Sequence, residues 1–118
     1  MPIYPEAYLE FVELFNKEKY FEAHEVLEGE WHRQNRQNDF YKGLIQLAAV
    51  FVHIQKGNFA GARSLLHTSK KYLDPCFSHC EGMNLKTLVD RTELIVKSLG
   101  SAHQNQRDIQ YPVIEIKD

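Results

Sequence analysis

Tyr8, Phe11, Val12 and Phe15 recur at i, i+3, i+4 and i+7, one face of a helix, behind a proline, Pro5, at a position where the first turn needs no N–H. The spacing predicts a first helix over residues 5–17. Tyr20, Ala23, Leu27 and Trp31 share one stripe at about 100° per residue, which predicts a second helix over 19–34, closed by the polar run QNRQN at 34–38. A third begins with Asp39 as N-cap and runs to Lys56, where Gly57 supplies a C′ glycine and Asn58 the next N-cap. Its centre, GLIQLAAVFVHI at 43–54, is apolar nearly all round and marks a helix surrounded by others.

Phe59, Ala62, Leu66 and Leu73 predict a fourth helix over 59–73, stopped by Asp74-Pro75, with a loop at 75–83. Asn84 caps a fifth that carries Leu85, Leu88, Ile95 and Leu99 and ends at Gly100. Beyond it SAHQNQRDIQ reads as linker, and the stretch 111–116, too short for a helix and holding Pro112, as an extended tail lying on the bundle. The expected fold is therefore all-α: a compact bundle of about five helices at 1–100, then a linker and extended C-terminal tail at 101–118. Tyr20-x-x-Ala23-x-x-x-Leu27 also matches Phe59-x-x-Ala62-x-x-x-Leu66, a weak internal repeat that two amphipathic helices packing in one bundle equally explain.

At 118 residues the chain is the size of one domain, and 43% hydrophobic with 25% charged residues is an ordinary globular composition. A net charge of −2 without a clustered basic excess argues against nucleic acid as a partner. Eight glutamates from Glu6 to Glu30 stand against Lys17 and Lys19, so one face of the N-terminal half is negative, a solvated surface before it is a docking patch. The longest apolar run, 47–52, falls far short of the roughly 20 residues that span a membrane. The start of the sequence has no signal-peptide pattern, and there are only two cysteines; a reducing cytoplasm is the expected compartment.

The segment YFEAHEVLEGEWH at 20–32 concentrates the candidate chemistry. With Tyr20 at zero, His24 falls about 40° and Trp31 about 20° away, inside the apolar stripe, while Glu28 lies near its edge at about 80° and Glu25 at about 140°. His24 is expected to be buried with a carboxylate one turn away, and buried imidazole and carboxylate groups require partners. On the third helix Lys42, Gln46 and His53 lie at about 200°, 240° and 220° from Phe40, a narrow polar stripe on an apolar cylinder. Facing stripes would form a polar seam. Its explanation is either a satisfied buried hydrogen-bond network or a ligand pocket between helices two and three. The candidate ligand-binding residues are His24, Glu25, Glu28, Trp31, Lys42, Gln46 and His53.

A metal is not expected, nor any other cofactor. His24-Glu25-x-x-Glu28 resembles the start of a zinc-protease helix, but glutamate replaces the second histidine. His24, Glu28 and His53 would be the ligands if a metal were held. Cys76-x-x-His79-Cys80 lacks a clear fourth ligand and reads as loop thiols.

Taken together, FNKEKYFEAHEVLEGEW, KGLIQLAAVFVHIQKGNFAGARSLL and EGMNLKTL, in that order over most of residues 11–90, resemble the family called domain of unknown function 309. The positions matching its pattern are His24, Glu25, Glu28, Trp31, Lys42, Gly43, Gln46, His53, Gly57, Asn58, Gly61 and Ala62. The resemblance implies a small prokaryotic all-helical domain and brings no established activity. The function expected from the residues is a non-enzymatic helical module binding a protein or small ligand at the interhelical polar seam and the acidic face. The alternative is a metal-assisted or acid–base hydrolase using His24, Glu25, Glu28 and His53.

Overall fold

The computed structural model describes residues 4–77, 80–99 and 109–117, the side chain of Cys80 excepted. Among the described residues five α-helices follow in order: α1 (Glu6–Asn16), α2 (Tyr20–Arg33), α3 (Asp39–Gln55), α4 (Phe59–Leu73) and α5 (Leu85–Ser98). The expected all-α bundle is what forms, and its Cα radius of gyration of 13.7 Å matches the roughly 13.5 Å of a compact chain of this length. The linker at 101–108, Gly100 and His79 lie outside the described residues.

Local chemistry sets the boundaries. The side chains of Asn38, Asn58 and Asn84 accept from the backbone N–H groups of Tyr41, Gly61 and Thr87, capping α3, α4 and α5. Asn38 thus takes the role expected of Asp39, because its own backbone is extended and its amide oxygen already reaches the first turn, leaving Asp39 as the first helical residue. Gly57 has φ of 77°, the left-handed conformation expected of a C′ glycine. At Gly61 a Cβ would lie 2.5 Å from the Asn58 amide, so the small residue makes room for the cap itself.

α3 is the central helix, packed chiefly against α4 and α2. Its buried residues run right along it, from Phe40 to Ile54. Gly43 lets α4 come close: Ser69 Oγ donates to the Gly43 carbonyl at 2.8 Å, and a Cβ on Gly43 would meet Leu73 at 2.5 Å. Phe15, Tyr20, Phe51 and Tyr111 stack into one aromatic cluster, with Phe15–Tyr20 and Tyr20–Phe51 centroids each 4.9 Å apart.

Tyr111 belongs to the extended C-terminal stretch, which lies on the bundle. Asn16 binds it through both amide atoms: Nδ2 donates to the Ile114 carbonyl at 2.9 Å, and the Ile114 N–H donates to Oδ1 at 2.7 Å. Pro112 and Ile114 are buried, and Ile116 bridges antiparallel to Met83. Among the described residues no helix is long and apolar enough to cross a membrane.

Candidate functional site

Between α2 and α3 lies a cavity of about 240 Å³, walled by His24, Glu28 and Trp31 of α2 and closed by Leu65 of α4. Its floor is Lys42, Ile45, Gln46 and Ala49 of α3. The helical spacing explains the lining. His24, Glu28 and Trp31 follow at i, i+4, i+7, as do Lys42, Gln46 and Ala49, so each set forms one row along its helix.

His24 Nε2 stands 3.3 Å from Glu28 Oε2 across one helical turn. In the tautomer with the proton on Nε2, beside that carboxylate, Nδ1 is an acceptor. The imidazole is 27% exposed, which corrects the expectation of a buried histidine: the stripe places it beside the groove rather than inside the core. Trp31 is likewise half-buried, packed against the rim of the core. The Lys42 ammonium lies 5.4 Å from the Trp31 ring centroid and 4.8 Å from that of Tyr72, between two aromatic faces. No carboxylate pairs with it among the described residues.

Four shielded side-chain polar atoms among the described residues have no hydrogen-bond partner: Tyr20 Oη, His24 Nδ1, Trp31 Nε1 and Gln46 Oε1. Three of the four belong to residues lining this one cavity.

The other two seam residues are elsewhere. Glu25 is exposed on the outer face of α2. His53, at the far end of the polar stripe of α3, is engaged by the Asn58 amide, Nδ2 to Nδ1 3.0 Å. His24, Glu28 and His53, the ligands named for the case that a metal were held, are therefore not gathered, and no three His, Cys, Asp or Glu residues among those described lie together in a way that could hold a metal. His79 and the Cys80 side chain, on which the Cys76-x-x-His79-Cys80 motif depends, are outside the described residues.

Sequence reasoning did not single out Ile45, Ala49, Leu65 or Tyr72, since apolar residues at core spacing carry no local sign that they also line a groove. It also missed a second polar cluster. Tyr41 Oη donates to the Glu81 carboxylate at 3.1 Å, and Tyr8 Oη to the Glu81 carbonyl at 2.9 Å, where Glu81 holds a left-handed φ of 50°. Burial pushes the Glu81 carboxyl above its usual range, opposed by the bond from Tyr41, and burial likewise raises the Tyr41 hydroxyl.

Fold and groove together define an all-helical domain with a partly polar cleft over its central helix. The chain matches, over residues 8–65, the model of the family described as Domain of unknown function (DUF309). It is 36% identical over 74 residues to the uncharacterized protein YpuF of Bacillus subtilis (strain 168). That match covers 60% of this chain and 42% of YpuF, so the chain spans well under two thirds of that relative. No solved structure matches.

Proposed function

We propose that this protein is a non-enzymatic binding module whose groove between α2 and α3 holds a small ligand or a short segment of a partner protein. The observation that supports it is the concentration of His24 Nδ1, Trp31 Nε1 and Gln46 Oε1, all without partners, on one cavity. A shielded polar group left unpaired costs about 1–3 kcal/mol, and a satisfied structural network would have paired them. The side chains carrying these atoms are partly exposed at the groove, and Ile45, Ala49 and Leu65 offer apolar contact. The acidic face, with Glu10, Glu13, Glu22 and Glu25 exposed, adds attraction for a basic partner. The low cysteine count fits action in the cytoplasm, and neither nucleic acid nor membrane is a proposed partner.

The hydrolase alternative has less support, because only His24 and Glu28 of its four residues line the groove. The test is a fragment library screened on 15N-labelled protein. Bound fragments should move the Trp31 indole N–H and the Gln46 side-chain amide, and Gln46→Leu should weaken them. Fragments that bind only elsewhere, or bind Gln46→Leu unchanged, would refute the groove.

A further inference from the structure

The groove's chemistry narrows what it takes. Lys42 brings a positive charge with no carboxylate paired to it among the described residues, and it leans on Trp31, whose indole N–H lacks an acceptor. Trp31 ends α2 and Lys42 opens α3, so these two donors mark one end of the cleft. One turn further along α3 Gln46 offers an unpaired carbonyl oxygen, and His24 offers the Nδ1 lone pair. Between and beneath them the lining is aliphatic. At about 240 Å³ the cavity lies below the roughly 300–1,000 Å³ of sites for drug-sized molecules, so the occupant is about the size of one residue.

We infer that the groove binds a carboxylate whose α-carbon also bears an apolar side chain and an N–H donor. This is the chemistry shared by a free apolar amino acid and the C-terminal residue of a peptide. The inference rests on the groove being a binding site. The carboxylate sits on the Lys42 ammonium and the Trp31 N–H, a charge-assisted pairing. The ligand N–H meets His24 Nδ1 or Gln46 Oε1. Its side chain lies on Ile45, Ala49 and Leu65. The ammonium, the indole N–H and one of the two acceptors then find the complement they lack.

Trp31 is the only tryptophan, so its emission and indole 1H–15N signal report on this site alone. Titration with N-acetyl-leucine, leucine and leucinamide separates the requirements. N-acetyl-leucine or leucine should change the Trp31 signal saturably at millimolar concentrations, and leucinamide, which lacks the carboxylate, should not. Lys42→Met, shown folded by circular dichroism, should weaken binding by about tenfold or more, the worth of a charged hydrogen bond. Binding by leucine points to a free amino acid; binding by N-acetyl-leucine alone points to a peptide C-terminus. The inference falls if neither carboxylate binds, if leucinamide binds as tightly, or if Lys42→Met binds unchanged. Groove-binding fragments without a carboxylate, found beside that negative result, would leave the binding module standing and remove only this ligand class.

Discussion

The His53 ring is held by the amide of Asn58, 3.0 Å away, and not by the His24–Glu28 pair on the neighbouring helix. Asn58 is committed twice, since its Oδ1 also accepts from Gly61 N–H to cap α4. His53 is thus a brace for the α3–α4 turn, one helical turn beyond Ala49, where the groove row ends.

It follows that Glu28 and His53 act independently. A double-mutant cycle with Glu28→Ala and His53→Ala should give a coupling within about 0.5 kcal/mol of zero by urea denaturation. His53→Ala and Asn58→Ala, which share a bond, should be non-additive instead. A strong Glu28–His53 term would restore the single polar seam.

Gln46 should be less than optimal for stability. Replacing it with leucine removes a shielded carbonyl oxygen that has no partner and adds apolar contact with Ile45 and Ala49. Gln46→Leu should raise the unfolding free energy by about 1 kcal/mol. A loss of that size would mean that Gln46 is satisfied in solution and that the structural-network explanation is the better one.

Glu81 gives stability a pH dependence whose sign can be worked out. Its folded-state pKa is raised, so folding favours the neutral carboxyl; this contribution is present at low pH and is lost as pH rises from the ordinary carboxylate value of 4.5 through the raised one. Glu81→Gln keeps an oxygen for the Tyr41 hydroxyl without the charge. Denaturation midpoints measured from pH 4 to 8 should fall less across that window, by the variant-minus-native difference, than those of the native chain. Parallel profiles would show that Glu81 stays well solvated.

Asn16 holds the C-terminal stretch with two backbone bonds to Ile114, much as a neighbouring strand would. Asn16→Ala removes both, and at about 0.5–1.5 kcal/mol each the stretch should loosen before the bundle unfolds. Hydrogen exchange at the Ile114 amide should speed up at least tenfold while the α3 core amides stay protected. Unchanged Ile114 protection would assign the docking to Tyr111 and Pro112 instead.

The helices and their ends were legible in the residues because their causes are local. Stripes such as Tyr8-Phe11-Val12-Phe15 need only a 3.6-residue period, and Asn58 and Asn84 cap through atoms three residues away. Local too is the left-handed turn at Gly57. The two rows were legible for the same reason: His24, Glu28 and Trp31 on one, Lys42 and Gln46 on the other. What the residues leave open is how far the rows overlap when the helices pack. Angular position places His53 in line with Lys42 and Gln46, but not its height along α3, and at the α3 terminus a nearby asparagine outcompetes a distant carboxylate. The depth of the row is equally a tertiary matter. His24 and Trp31 lie within the apolar arc of α2, yet Leu27, Ala23 and Tyr20 are the residues that the core buries, and the ring and indole stay at its margin. Contacts such as Tyr41 with Glu81 or Asn16 with Ile114 join residues 40 and 98 positions apart. No periodicity spans such separations, so only the packing of the bundle decides them.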